Sequence, residues 1–260
     1  MRPDRRPSPN APADAVAGDL SGRKGVTSLT DSRTALVVRG GWEGHQPVAA
    51  TALFIPFLER NGYHVRVEES PEVFADAGVM TDVDLILLCV SMSTIDRPQL
   101  DGLRGAVENG TGLAGWHGGI VDSYRNPDYL QLIGGQFAAH PGIHPDDRTG
   151  QPTDSFVRHT VTMLPAAAGH PITQGIGDFE LVTEQYWVLT DSYNDVLATT
   201  TTQQVRDRDP WHRPVTSPAV WTRAWGSGRI FVATPGHDLE VLGDRNVRTL
   251  IERGLLWASR

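Results

Sequence analysis

The stretch Gly112-Leu-Ala-Gly-Trp-His-Gly-Gly119 decides the reading of the fold. An apolar run stops in a glycine-rich turn, and small residues on either side let the His117 side chain project into a cleft. This is the form of a nucleophile elbow, the sharp strand-to-helix turn of α/β enzymes, with His117 where a hydrolase carries serine. Glycine-rich turns are common, so the flanking sequence has to supply the parallel sheet that an elbow requires.

It does so on the upstream side. Asp84-Leu-Ile-Leu-Leu-Cys-Val-Ser91 is apolar on both faces, as a central parallel strand should be, and Arg97 to Asn109 reads as a helix closed by Gly110. Further back, Thr34-Ala-Leu-Val-Val-Arg39 predicts a first strand and Gly40-Gly-Trp-Glu-Gly-His45 its loop. Pro47 suits a first helical turn, with Val48, Ala52, Ile55 and Leu58 expected on one face and Asn61-Gly62 as a left-handed stop. His64 to Glu68 is a second strand. Such alternation predicts an α/β fold with a mainly parallel, doubly wound sheet. Downstream the rhythm changes: Phe156 to Met163 alternates with period two, Asp195 to Thr201 is a strand, and Arg229 to Thr234 is the last one. A final helix runs from about Arg245 to Ala258, with Val247, Leu250, Ile251 and Leu255 facing the core. Gln203 to Pro218 is polar, contains three prolines and reads as a long loop over one end of the sheet. No internal repeat is visible.

Composition bounds the function. The 260 residues are 39% hydrophobic, enough for a sizeable core. Residues 1–32, rich in Pro, Ala, Gly, Ser, Asp and Arg, are expected to be a disordered tail, leaving 33–260 as a single α/β domain. The net charge of −8 with scattered basic residues argues against nucleic-acid or anionic-membrane partners and favours a small neutral or polar ligand. The longest apolar runs fall short of a membrane span, and the N-terminal residues lack the apolar core of a secretory signal, so a soluble, cytoplasmic protein is expected. The one cysteine, Cys89, lies inside an apolar run and reads as a small buried hydrophobe.

In an open α/β sheet, ligands bind beyond the carboxyl ends of the strands. His45 follows the first strand, Ser91-Met-Ser-Thr94 the third with Ser93 as a candidate contact, His117 ends the fourth, and His237 follows the last. Any one of these histidines alone is more often surface decoration; three from independent loops on one rim form a candidate site. Trp42, Trp116, Tyr186, Trp187 and Trp211 lie in or beside loops and suit the C–H face of a sugar ring, Trp211 as a lid contact. Core packing is the expected role of Trp221, Trp225 and Trp257.

Residues 34 to 257 resemble the ThuA-like trehalose-utilisation family, a branch of the class I glutamine-amidotransferase-like superfamily. The resemblance is carried by Gly40-Gly-Trp-Glu-Gly-His45, Gly115-Trp-His-Gly-Gly119, Ile133-Gly-Gly-Gln-Phe-Ala-Ala-His-Pro141, His170-Pro-Ile-Thr-Gln-Gly-Ile176, Thr183-Glu-Gln-Tyr186, Val220-Trp-Thr-Arg223, Gly226-Ser-Gly-Arg-Ile-Phe231 and Gly236-His-Asp238. It implies a flavodoxin-like three-layer α/β/α fold and a role near disaccharide or 3-keto-sugar metabolism. It also places His45, His117, His140, Glu184 and His237 on recurrent polar positions. An amidotransferase elbow would hold cysteine, so no glutaminase activity is expected. Many relatives carry an Asp-Glu pair before the tyrosine, whereas this chain has Thr183-Glu184, which leaves Glu184 as the carboxylate to watch. His170 is expected only to cap the turn before Pro171.

Two chemistries suit this residue set. Neutral imidazoles and a carboxylate can bind a divalent metal, with His45, His117, His140, Glu184 and His237 as candidate ligands, although no short His-x-His spacing supports it. Alternatively, His117 and Glu184 act as an acid/base pair on a keto-sugar or glycoside while His45, His140 and His237 orient the substrate. A rival of another class is a non-catalytic sugar-binding or regulatory module on a degenerate amidotransferase scaffold, since fold alone does not fix function. The sugar, the metal and any homo-oligomer stay open at this point.

Overall fold

Two neighbouring strands with no exposed residue form the centre of the molecule. In the computed structural model, which describes residues 33–203 and 210–260, all seven residues of Leu85–Ser91 and all five of Gly112–Trp116 are buried. Each buried leucine in this run contributes about 2 kcal/mol of transfer free energy. In chain order the elements are β1 (Arg33–Gly41), α1 (Pro47–Ala52), α2 (Ile55–Arg60), β2 (Tyr63–Glu68), α3 (Ala77–Thr81), β3 (Leu85–Ser91), α4 (Arg97–Glu108), β4 (Gly112–Trp116), α5 (Gly118–Val121) and α6 (Pro127–Ile133). Then follow β5 (Gly135–Ala139), β6 (Phe156–Met163), β7 (Phe179–Glu184), β8 (Trp187–Thr190), β9 (Asp195–Thr202), β10 (Val215–Trp225), β11 (Gly228–Ala233), α7 (Leu239–Gly243) and α8 (Arg245–Ala258).

Among the described residues nine strands form one sheet in the order β2-β1-β3-β4-β11-β10-β9-β6-β7, and β5 pairs with β8 in a separate ribbon. From β2 to β11 every neighbour is parallel, in the 2-1-3-4-5 order of a flavodoxin-like doubly wound sheet, with β11 in fifth place. From β11 onward every pairing is antiparallel. One face of the parallel half packs against Phe54, Leu58, Leu242, Leu250, Ile251 and Leu255 from α1–α2 and α7–α8; the other packs against Leu100, Leu103, Ile120 and Tyr129 from α4–α6. That makes the three layers. The switch point lies between β1 and β3, from which the chain winds outward in both directions.

The local sequence explains the long helices. Asp96 and Gln99 close a capping box at α4, whose Leu100, Leu103 and Val107 turn inward, and Asp244 caps α8, whose Val247, Leu250, Ile251 and Leu255 are buried as expected. The first helix departs from its expected pattern. It is split into α1 and α2 around Leu53–Phe54, Val48 and Ala52 are exposed, and the buried face is Ala50, Thr51, Phe54 and Leu58. A lone heptad-like pattern cannot anticipate a one-residue rotation at such a break. The expected loop from Gln203 to Pro218 is also shorter, because β10 begins at Val215, and Pro218 sits at a bulge where no ladder N–H is needed. The expected tail, 1–32, lies outside the described residues. No described helix is long and apolar enough to cross a membrane.

The antiparallel half cannot be flat. At about 4.8 Å per strand, β7 in a flat sheet would lie some 24 Å from β4. Yet the last residue of β7, Glu184, comes within 3.5 Å of His117, the residue after β4. Register shifts where β9 meets β10, which skip Ala219 of β10 and then Leu197 of β9, mark the place where the sheet bends to carry β6 and β7 back over the carboxyl ends of the parallel strands.

Two glycines in α4 test the packing. A Cβ at Gly105 meets nothing within 4 Å, whereas one at Gly102 falls 1.8 Å from the Phe74 carbonyl oxygen. Gly105→Ala should therefore raise stability by roughly 0.5–1 kcal/mol through helix propensity, and Gly102→Ala should lower it by about 1–3 kcal/mol. Denaturant melts of both variants check the sign, and equal effects would contradict the packing of α4 on the 71–75 turn.

Candidate functional site

Three loops of the parallel half and the curled-back antiparallel half meet at one point. His117 follows β4 with φ 50° and ψ −146°, a conformation unusual for a residue with a side chain. The parallel register of β4 with β11 places Trp116 beside Ala233, and two further bonds then fix His117: its N–H donates to the Ala233 carbonyl at 2.7 Å, and its ring Nδ1 bonds the Thr234 carbonyl at 3.0 Å. A carbonyl only accepts, so Nδ1 carries the proton and Nε2 presents a bare lone pair. Gly118 is required next, because a Cβ there would lie 2.4 Å from the His45 ring.

His45 ends a short 3-10 turn after β1, and its Nδ1 bonds the Ser91 hydroxyl at the end of β3 at 2.7 Å. His237, in the loop after β11, brings its Nδ1 to 3.2 Å from His117 Nε2 and 3.1 Å from Glu184 Oε2. Glu184 Oε2 lies 3.5 Å from His117 Nε2 and also accepts a short hydrogen bond from the Tyr186 hydroxyl. The three histidine rings contact edge to face, with centroids 4.6–5.4 Å apart. Phe137 of β5 stacks on Tyr186 at 3.5 Å, and Phe156 of β6 touches His237.

Burial sets the charge states. It is the main force lowering His117 to about 3, joined by the neighbouring charges of His45 and His237 and opposed by Glu184 and the Thr234 bond. Burial likewise brings His45 down to about 4, with His237 acting in the same sense and Glu184 against. For Glu184 burial pushes upward, but the hydrogen bonds from His237 and Tyr186, together with the charges of His117 and His237, win and hold the carboxyl at about 2. Burial and the adjoining carboxylate raise Tyr186 far above the usual phenol range. At neutral pH the centre thus holds neutral His45 and His117 imidazoles beside an ionised carboxylate. Metal binding requires that protonation pattern.

A profile of the ThuA family, described as trehalose utilisation, matches residues 34–258. The chain belongs to the ThuA family. A ThuA-like protein from Bacteroides uniformis shares its fold with a TM-score of 0.66 at 16% identity, covering 91% of this chain and 95% of that one. One from Parabacteroides merdae gives 0.63 at 16%, covering 87% and 89%. A cytoplasmic protein from Salmonella typhimurium gives 0.55 at 12%, covering 87% and 100%. No curated protein matches the sequence.

Against the sequence expectations for a ThuA-like chain, the structure brings His45, His117, His237, Glu184 and Tyr186 together, with Trp42 and a half-exposed His140 on the walls of a cleft of about 380 Å³. This is the size of a small-molecule site. His140 Nδ1 is 4.0 Å from Glu184 Oε1 and its ring borders Tyr186. Ser93 is not at the cluster. Its N–H bonds the Ser123 carbonyl, and the serine that reaches the histidines is Ser91, two residues earlier. Trp211 packs edge to face on Trp187 and does not line the cleft, while Trp116 is 2% exposed and packs on Phe54. His170 accepts from the Ile172 N–H, the capping role expected of it. Sequence reasoning missed Phe137, Phe156 and Asp122; the alternating FVRHTVTM stretch contained Phe156, but nothing in it indicated that β6 folds back.

Two outcomes follow for the isolated protein. Cys89 is buried and its thiol is pushed up to about 12 by burial, so Cys89→Ser should not change activity, and no glutamate should be released from glutamine; release that vanished in the serine variant would contradict this. Second, His45 and His117 titrate below their ordinary 6.5 when folded, so the unfolded chain takes up protons first as pH falls. Their stability contribution is complete above about 6.5 and is lost on descending toward 4 and 3, and that of Glu184 is lost below about 4.5. The chelator-treated protein should lose on the order of 5 °C or more in Tm between pH 7 and pH 4. Calorimetry showing a flat or rising Tm over that range would contradict the buried neutral cluster.

Proposed function

We propose that this ThuA-family chain is an enzyme that moves a proton on a keto-sugar or glycoside at a divalent-metal centre built by His117, His237 and Glu184, with His45 beside them. One observation carries the reading. The three atoms His117 Nε2, His237 Nδ1 and Glu184 Oε2 form a triangle with edges of 3.1, 3.2 and 3.5 Å. Ligand atoms at 2.0–2.1 Å around a tetrahedral ion lie about 3.3–3.4 Å apart, so the triangle matches one face of such a site. The ring nitrogens of His45, His117 and His237 also offer ligand atoms all within 4.8 Å of one another, the one group of this kind among the described residues.

The residue roles differ from a simple His117–Glu184 acid/base pair. His117 is 2% exposed and Glu184 is held ionised well below the range of a base matched to neutral pH. Both suit ligands better than proton carriers. A divalent ion held here supplies Lewis-acid stabilisation of an oxygen that gains negative charge. Proton transfer falls to His140, the more exposed of the two imidazoles, His45 and His140, that line the cleft. Removing the proton beside the ketone sends its electron pair toward the carbonyl oxygen. Return of the proton at the neighbouring carbon gives isomerisation, and expulsion of the glycosidic oxygen gives cleavage. Tyr186 keeps the Glu184 carboxylate oriented through its hydroxyl, and stacking on Phe137 fixes the Tyr186 ring. The net charge of −8 and the size of the cleft agree with a small carbohydrate ligand, and the likeness to cytoplasmic proteins supports a cytoplasmic location.

Elemental analysis and a 3-keto-glycoside assay test the reading together. Purified protein should carry about one divalent ion per chain, and turnover should vanish with chelator and return on reloading. His117→Ala should lose the ion, while His140→Ala should keep it and lose about a hundredfold or more in kcat. Saturable sugar binding without turnover in the loaded protein would instead support a non-catalytic sugar-binding module.

A further inference from the structure

The mouth of the cleft carries polar and apolar groups for which the proton-transfer scheme has no use. Asp122 follows α5, and its carboxylate lines the cleft with only 11% of the side chain exposed. Among the described residues its one side-chain hydrogen-bond partner is Arg125, whose Nε donates at 3.3 Å; Arg125 is 72% exposed, and its two terminal nitrogens have no hydrogen-bond partner among those residues. An i,i+3 surface ion pair is ordinary and weak. Here the pair stands at a cleft rather than on open surface, and with one 3.3 Å side-chain bond the carboxylate keeps acceptor capacity for a ligand there.

Across the same mouth stand Trp42, 48% exposed, and Met92, 64% exposed. Met92 has φ 52°, a left-handed conformation that costs about 1–2 kcal/mol in a residue with a side chain. It is held there by a hydrogen bond from its N–H to the Asp122 carbonyl at 2.8 Å. The apolar lip and the acidic group are therefore locked to each other through the backbone, and the turn holding them starts at His117. A rigid pairing of an exposed aromatic and thioether surface with a carboxylate–guanidinium pair matches a sugar ring, which has an apolar C–H face and pairs of hydroxyls along its edge.

We propose that Asp122 and Arg125, with the Met92–Trp42 lip, form a subsite for a second sugar ring at the mouth of the cleft, so that the pair determines preference for a two-ring glycoside over a single sugar. The inference rests on the carbohydrate reading of the site. Asp122 accepts from one hydroxyl of the distal ring, the terminal nitrogens of Arg125 donate to its neighbour, and the lip covers the C–H face, while the reacting ring occupies the floor beside His140.

Calorimetric titration of the metal-loaded protein with trehalose and, separately, with glucose tests this. The ratio of the glucose Kd to the trehalose Kd should be tenfold or more in the wild type and should fall to near one in Asp122→Asn and in Arg125→Gln, the latter changing a side chain too exposed to endanger folding. Affinities for both sugars falling by the same factor, or a ratio left intact in both variants, would overturn the subsite while leaving the proposed chemistry standing. A wild-type protein that holds its ion but binds neither sugar would instead remove the carbohydrate reading, and the subsite with it.

Discussion

The approach of Glu184 to His117 and His237 is the constraint on which the rest depends. The histidines come from the parallel half, where strand order and register alone bring loops after β1, β4 and β11 to one rim. The carboxylate comes from the far edge of the antiparallel half. Without the bend at β9 and β10 the rim would be an array of imidazoles with no carboxylate among them. With it, an ionised carboxylate that accepts from His237 and Tyr186 lies 3.5 Å from the bare Nε2 of His117, and the wall made by Phe137, Phe156 and Tyr186 keeps water from most of that contact.

Backbone conformation follows the same geography. Among the described residues the three non-glycine positions with positive φ are Gln46, Met92 and His117, and each stands just past the carboxyl end of β1, β3 or β4. Residues held this way cost of order 1–3 kcal/mol each and persist only where the surroundings over-determine them. At His117 the surroundings are known: two carbonyls of the neighbouring strand end, a glycine pressed against His45, and a short helix leaving at once.

How much of this was legible in the sequence depended on the range of the interaction. The parallel half was readable because its signals are local: fully apolar strands such as Leu85–Val90, caps at Asp96 and Asp244, and the elbow glycines. His45, His117 and His237 were legible as one site because strand-end positions in a doubly wound sheet converge by topology. Ser91 was missed in favour of Ser93 by two residues, since periodicity does not tell where a strand ends and the loop begins. Trp116 and Trp211 were misplaced because an indole beside a loop packs inward or stays at the surface according to tertiary neighbours alone. The contact of Glu184 with the histidines was suggested only by family resemblance, because it depends on the bend where β9 meets β10, which the residues around Leu197 and Ala219 do not announce.

That bulge has an evolutionary consequence. Side chains alternate between faces along a strand, so losing one residue from β10 would exchange the two faces of everything beyond the loss and straighten the path toward β9, β6 and β7. The centre presents one residue, His117, at the elbow. It cannot tolerate a change of length in a strand that contributes no group to it. Divergence in a scaffold of this kind is restricted in letters at the elbow and in counting at the bend, so the heritable record of the site is kept partly in a spacing remote from the chemistry.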